Sequence, residues 1–103
     1  MDVQLKKGIL DMCVLFALSK GESYGYKIIS DLNGIIEISE STLYPILKRL
    51  ETGGFITART AEYSGRLRRY YKITQQGTCK LQSGQEDLQE IHKIYQTIFG
   101  GRV

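Results

Sequence analysis

The chain has 103 residues, of which 42% are hydrophobic, and its formal net charge at pH 7 is +3. This length is enough for one compact domain and too short for two. The longest uninterrupted apolar run, residues 12–18, is far shorter than the ~20 residues that cross a bilayer. The polar start also lacks the long apolar centre of a secretory signal. We therefore expect a cytoplasmic protein with no membrane partner.

Cysteine and histidine usage gives no pattern of a metal or catalytic site. Cys13 lies in an apolar segment and Cys79 in a polar one, without CxxC spacing. His92 has no nearby nucleophile or spaced carboxylate pair. The sequence therefore predicts two buried or idle thiols and a protein without a metal, a cofactor or enzymatic activity.

The first third of the chain predicts two helices. Apolar residues recur at three- and four-residue steps over residues 5–18, which is typical of a helix buried on several sides. Lys20-Gly21 is its expected end, because glycine adopts the left-handed conformation favoured there. Ser23 is the expected N-cap of a second helix over residues 24–32. A short, apolar, strand-like link follows at Ile35, Ile36 and Ile38.

A third helix is predicted after the N-cap candidates of residues 39–42. Pro45 is compatible with it, since most amide bonds that proline removes are absent in or just after the first turn. Gly53-Gly54 ends the helix, and its core-facing stripe at i, i+3, i+4 and i+7 is Leu43, Ile46, Leu47 and Leu50.

The second half predicts a β-hairpin and a long helix. Residues 55–63 and 67–74 are rich in Thr, Ile and Tyr, and the turn-forming Ser64-Gly65 lies between them. Thr74 is the expected cap of the last helix. Its apolar positions follow the a/d steps of a coiled-coil seam at Leu81, Leu88, Ile91, Tyr95 and Ile98.

These elements predict a mostly α fold with a small β-hairpin that lies as a wing against a helical bundle. The apolar seam of the last helix would be a large exposed patch on a monomer, so we expect a homodimer. The alternative is that the seam packs only against the chain's own first helix. The residues assigned to the dimer contact are Leu5, Ile9, Leu81, Leu88, Ile91, Tyr95 and Ile98.

Positive charge is concentrated in one segment. Residues 48–80 hold eight basic and two acidic residues, a net +6, whereas the rest holds six basic and nine acidic residues, a net −3. On a helical wheel the face of the third helix opposite the apolar stripe carries Ser41, Pro45, Lys48 and Thr52, flanked by Tyr44 and Arg49. Such a face suits the DNA major groove, with hydroxyls and tyrosine near base edges and cations near the backbone.

Three sequence blocks strengthen this interpretation. They are Tyr24-Gly25-Tyr26; residues 42–51 (TLYPILKRLE) with Gly54-Phe55-Ile56 after them; and Gly65-Arg66 with residues 69–74 (RYYKIT) and Gly77. Over about residues 5–80 the chain resembles the PadR-like transcriptional regulators, which are winged-helix proteins. The short C-terminal part resembles the short branch of that family.

The resemblance implies a homodimer that binds double-stranded operator DNA of two-fold symmetry, usually as a repressor. The third helix would be the reader and the hairpin the wing. Residues 1–77 would form a winged helix-turn-helix DNA-binding domain, and residues 78–103 a dimerisation helix of the same compact unit. Beside Arg49 from the helical wheel, the implied DNA contacts are Ser41, Thr42, Tyr44, Pro45, Lys48, Arg66, Arg68 and Arg69.

Two departures from the family pattern leave alternatives open. The wing tip, residues 64–67, lacks the proline often found there in the family. Some relatives in the short branch bind flat aromatic drugs between paired C-terminal helices through tryptophan, which this chain lacks. Phe16, Tyr95 and Phe99 are the candidates for a similar effector site, and plain core packing is the alternative.

The alternative function of the whole protein is a winged-helix adaptor whose basic face binds an acidic protein.

Overall fold

The fold consists of four helices and a three-stranded antiparallel sheet. The computed structural model describes residues 1–100. The elements are α1 (Val3–Ser19), β1 (Ser23–Tyr24), α2 (Gly25–Leu32), α3 (Glu40–Thr52), β2 (Ile56–Tyr63), β3 (Arg66–Ile73) and α4 (Gln75–Ile98). This confirms the predicted mostly α fold with a hairpin wing. Within the described residues, no helix combines the length and the hydropathy of a membrane span.

The first helix supplies the centre of the core. Its N-terminus is capped by Asp2, whose carboxylate accepts a hydrogen bond from the Leu5 amide at 3.0 Å. Val14, Leu15 and Leu18 are fully buried, and each such side chain contributes roughly 1.5–3 kcal/mol to folding. The helix ends as predicted before Gly21, which has φ +141°.

The entry to α2 differs from the prediction, because Ser23 is not an N-cap. Its backbone is extended and pairs with Tyr71 of β3, so that it adds a third strand to the hairpin. Tyr24 occupies the cap position and its side chain makes no capping hydrogen bond. A two-residue strand has no periodicity of its own, so its pairing partner decides its conformation.

The predicted strand-like link after α2 is also wrong. The amides of Ile35 and Ile36 both donate to the Leu32 carbonyl at 2.8 Å, which makes a tight turn at the end of α2. Ile36 and Ile38 pack partly buried against the core, while Ile35 is 63% exposed. Their apolar character therefore reflects packing of a loop.

The third helix has the predicted cap and stripe. The Ser39 hydroxyl accepts a hydrogen bond from the Thr42 amide at 3.3 Å. Pro45 is the sixth helical residue. All four residues of the stripe are buried: Leu43, Ile46, Leu47 and Leu50.

The wing is a tight two-residue hairpin with β3 at the centre of the sheet, in the order β1-β3-β2. Ser64 and Gly65 have φ values of 52° and 80°, and positive φ at both turn residues is the type I′ geometry that matches strand twist. Tyr71 and Ile56 anchor the sheet, because they are only 4% and 1% exposed.

The last helix begins directly after β3, and most of its length lies outside the core. Thr74 caps it by accepting from the Gly77 amide at 3.1 Å and also donates to the Gly54 carbonyl at 2.7 Å. Gly77 is the one residue of α4 that is buried, and the molecule extends over 60 Å. Residues 101–103 of the predicted dimerisation segment lie outside the described residues.

Candidate nucleic-acid interface

The exposed face of α3 presents the hydroxyl groups that the sequence predicts. Burial of the apolar stripe turns the opposite face outward. The Ser39 hydroxyl lies 3.0 Å from that of Ser41 and 3.1 Å from that of Thr42, so three hydroxyls cluster at the start of the helix. The predicted reader residues on this face are all exposed: Ser41, Thr42, Tyr44, Pro45 and Lys48.

Pro45 removes one backbone hydrogen bond from the start of the same helix. Pro45 has no amide hydrogen, so the Ser41 carbonyl four residues earlier has no α-helical donor. Both residues are exposed. The start of the helix therefore has one carbonyl without its usual i+4 hydrogen bond, close to the hydroxyl groups.

Tyr44 is held by a contact with the start of α2. A Cβ atom at Gly25 would lie 2.9 Å from Tyr44 Cζ and 3.2 Å from Cε1, so the tyrosine ring packs against a position open only to glycine. Gly25 is buried, whereas Tyr44 is 44% exposed. The contact places the hydroxyl end of the Tyr44 side chain against Gly25 and leaves part of the ring accessible, which explains the glycine of the Tyr24-Gly25-Tyr26 block.

Arg49, predicted as a backbone contact, is ion-paired with Asp11 of α1. The two side chains are 38% and 14% exposed, so the pair is half-shielded from water and screened less than a surface pair. In this position the guanidinium joins α3 to α1, the central helix of the core.

Arg69 of the wing is likewise ion-paired. Its Nη2 donates to both carboxylate oxygens of Glu51, each at 3.0 Å, so that β3 is joined to the end of α3. The carboxylate raises the pKa of Arg69. Tyr71 lies beside this pair, and burial raises the pKa of its hydroxyl.

Arg59 of β2 forms a third ion pair, which the sequence did not predict. Arg59 Nε and Nη2 donate to the two oxygens of Glu22, both at 2.7 Å. These hydrogen bonds lower the pKa of Glu22 and raise that of Arg59. The fork-to-fork geometry is the strong form of an arginine–carboxylate contact, and it ties β2 to the loop before β1. The two residues are 37 positions apart, so no local signal predicts the pair.

The remaining wing arginines differ from these three. Arg66 is exposed beside the turn. The Arg68 guanidinium lies over two tyrosine rings, 4.0 Å from the Tyr24 centroid and 4.3 Å from the Tyr63 centroid. Within residues 1–100, no carboxylate pairs with Arg66, Arg68 or Lys48. The unneutralised positive charge of this region therefore includes these three side chains.

The predicted dimer contacts divide into two groups. Leu81 packs partly buried against the core, and Ile9 is partly buried. The other five are between 40% and 61% exposed: Leu5, Leu88, Ile91, Tyr95 and Ile98. Ile94 and Phe99 add to the same exposed apolar surface at 51% and 72%.

An apolar groove of about 660 Å³ lies between α1 and α4, lined by residues that include Met12, Phe16 and Leu88. Phe16 is the one candidate effector residue in its lining, because Tyr95 and Phe99 are not part of it and pack against each other with tilted rings whose centroids are 5.7 Å apart. Cys13 also lines the groove, and burial raises the pKa of its thiol. Cys79 is exposed and unbonded to Cys13.

Known proteins share this fold. The model of the "Transcriptional regulator PadR-like family" matches residues 14–83. "Uncharacterized protein X" of Lysinibacillus sphaericus is 31% identical over 100 residues, 92% of each chain. A solved transcriptional regulator from Clostridium thermocellum has a TM-score of 0.85 at 29% identity, covering 93% of this chain and 98% of its own.

Bacillus subtilis PadR, solved in complex with operator DNA, has a TM-score of 0.69 at 32% identity. The match covers 73% of this chain and 45% of PadR, so it concerns a part of that longer protein. Together these matches confirm the resemblance inferred from the sequence blocks and the expectation of a regulator rather than an enzyme.

Proposed function

Because this chain belongs to the PadR-like family of transcriptional regulators, we propose that it is a repressor that binds two-fold symmetric operator DNA as a homodimer. The observation that carries the proposal is the exposed face of α3, which combines clustered hydroxyls, a tyrosine ring packed against Gly25 and an exposed lysine. The operator complex of the Bacillus subtilis relative supports DNA as the partner.

The reader contacts in this proposal come from the start of α3. Ser41 and Thr42 offer hydroxyls to base edges or phosphates, Tyr44 offers the exposed part of its ring, and Pro45 contributes an apolar surface for a thymine methyl group. Lys48 binds a backbone phosphate as a point charge. A helix whose first turns carry these groups suits the major groove, where each base pair has a distinct donor and acceptor pattern.

The wing contributes through its unpaired arginines. Arg66 and Arg68 have guanidinium groups without carboxylate partners within residues 1–100, so they are available for phosphates or for a narrow minor groove. Arg49 and Arg69 take supporting roles in this proposal. Their ion pairs with Asp11 and Glu51 set the position of α3 against α1 and of the wing against α3.

Dimerisation follows from the exposed end of α4. A continuous surface of Leu88, Ile91, Tyr95 and Ile98 on one helix is unfavourable in water. Pairing with a second copy buries that surface and brings two reader helices to one duplex. Two half-sites about 34 Å apart then fit successive major grooves.

The apolar groove, which shares Leu88 with this seam, suggests the class of a regulatory ligand. Its apolar lining, with Phe16 at one side and Gln85, Gln89 and His92 as polar groups, suits a flat aromatic molecule. Such a ligand would bind between α1 and α4 and reach the reader through the Arg49–Asp11 pair. Titration of a planar dye, followed by its fluorescence and by release of bound DNA, tests this role.

The function is tested by selecting genomic DNA fragments with the purified protein. We expect a recovered motif with two inverted half-sites whose centres are about 10–10.5 base pairs apart or a multiple of this. The selected duplex should bind ~10³-fold or more tightly than random DNA. An acidic protein partner that competes with DNA, together with recovery of no motif, would instead favour the adaptor function.

A further inference from the structure

The outer face of the sheet, which points away from the helical core, holds one arginine between two aromatic rings. Side chains alternate along β3, so the buried Tyr71 faces the core and Arg68 and Tyr70 face outward. The Arg68 guanidinium carbon is 4.0 Å from the Tyr24 ring centroid and 4.3 Å from that of Tyr63. We call this arrangement the tyrosine clamp.

The clamp follows from the strand order. Because β3 is central, an outward side chain on it has neighbours on both sides. Tyr24 pairs with Tyr70, and Tyr63 pairs with Arg66, so each tyrosine is diagonal to Arg68 on an adjacent strand. Diagonal neighbours on a sheet are within reach of aromatic side chains. The two-residue strand β1 is therefore what brings the Tyr24 ring to the wing.

Stacking leaves the hydrogen-bond donors of Arg68 unused. A guanidinium group has five N–H donors in its plane, and aromatic rings contact its faces. Arg59 on the same sheet face lies 4.8 Å from the Tyr70 ring, but its donors are bound to Glu22 at 2.7 Å. Arg68 has no carboxylate partner within residues 1–100. One face thus carries one arginine bound to a carboxylate and one that is oriented without an anionic partner among residues 1–100.

Building on the proposed DNA-binding function, we propose that Tyr24 and Tyr63 are positioning residues that hold Arg68 ready to bind a DNA backbone phosphate on the outer face of the wing. An arginine that is already ordered loses less conformational freedom when it binds. The rings also displace water from the guanidinium faces and leave the polar edge for the anion. A phosphate is the fitting ligand, because its oxygens match the arginine fork.

The proposal is tested by a double-mutant cycle on a duplex of random sequence, measured over a series of salt concentrations. Arg68→Ala should flatten the slope of log K against log salt by about 0.9, the value for one lost phosphate contact. Tyr63→Leu should weaken binding about two- to five-fold, the factor that an exposed cation–π contact corresponds to. Tyr63→Phe, which keeps the ring, should bind within about two-fold of the unmodified protein. Tyr63→Leu should add nothing further once Arg68 is alanine.

Independent effects of Tyr63→Leu and Arg68→Ala would overturn the clamp while leaving DNA binding intact. A protein without salt-dependent duplex binding would overturn the proposed function and the clamp's role with it. NMR of the unmodified protein without DNA gives a separate readout that does not depend on any variant folding. The Arg68 Nε–H resonance should be shifted upfield by the two rings, and an ordinary arginine shift would refute the clamp.

Discussion

The third and the last helices have the same kind of amphipathic pattern, but only the apolar stripe of the third helix is fully buried within the chain. In α3 the whole apolar stripe is buried in the chain's own core. In α4 only Gly77 of 24 residues is buried, and apolar side chains remain exposed to the helix end. For α3 the face left open is polar, and for α4 it is apolar. The contrast suggests different partners: a nucleic acid for α3 and a second copy of the chain for α4.

Ile91→Asp has the largest expected effect, because it places a charge in the exposed apolar seam of α4. A carboxylate buried in an apolar contact is strongly unfavourable, so we expect monomers by analytical ultracentrifugation. Losing one of two linked half-site contacts should weaken operator binding by ~100-fold or more. Gln82→Asp places the same charge at an exposed polar position of α4 and should change neither. A variant that stays dimeric would contradict the seam.

Leu47→Ala and Leu88→Ala compare the two stripes directly. Leu47 is 1% exposed, so its truncation should lower the free energy of unfolding by about 2–5 kcal/mol at every protein concentration. Leu88 is 40% exposed, and its truncation should matter mainly at concentrations where the protein is dimeric. Denaturant unfolding at two concentrations separates these behaviours. A concentration-independent loss at Leu88 would mean that α4 is stabilised within one chain.

Gly25→Ala tests the contact that positions the reader tyrosine. The new Cβ would lie 2.9 Å from Tyr44 Cζ, so the ring must move, at a cost of about 1–3 kcal/mol in unfolding free energy. Preference for the selected operator over random DNA should fall with it. Gly34→Ala is the matched control, since its Cβ meets nothing within 4 Å. Equal stability and preference in both variants would remove Tyr44 from its assigned position.

Lys48→Ala and Arg59→Ala have the smallest expected effects. They compare a cation exposed on α3 with a cation that is ion-paired to Glu22. Lys48 has no carboxylate partner among residues 1–100, so its loss should flatten the salt slope of DNA binding by about 0.9. Arg59 is neutralised by Glu22, and its loss should leave the slope unchanged. Fluorescence anisotropy over a salt series measures both. The reverse ranking would show that the ion pairs do not decide which cations meet DNA.

The third helix was predictable from the sequence because its determinants are local. Ser39 lies three residues before the amide that it caps, and the buried stripe repeats within eight residues. The hairpin turn was predictable for the same reason, since Ser64-Gly65 is a turn-forming pair whose glycine suits the positive φ of the second turn position.

Contacts between distant parts of the chain were not predictable. Ser23 has the chemistry of an N-cap, but pairing with Tyr71 makes it a strand residue. Arg49 and Arg69 lie on or beside the predicted basic face, yet carboxylates 38 and 18 residues away bind them. The helical wheel places charges on a face and gives no information about the elements that pack beside it.

The most direct test of a dimeric DNA reader is the binding of one purified protein to two duplexes. One carries the selected half-sites at their natural spacing, and the other has about five base pairs, half a helical turn, inserted between them. We predict a loss of ~10²-fold or more in affinity on insertion, because the second reader helix then faces the wrong side of the duplex. Equal affinity for the two duplexes would contradict the account.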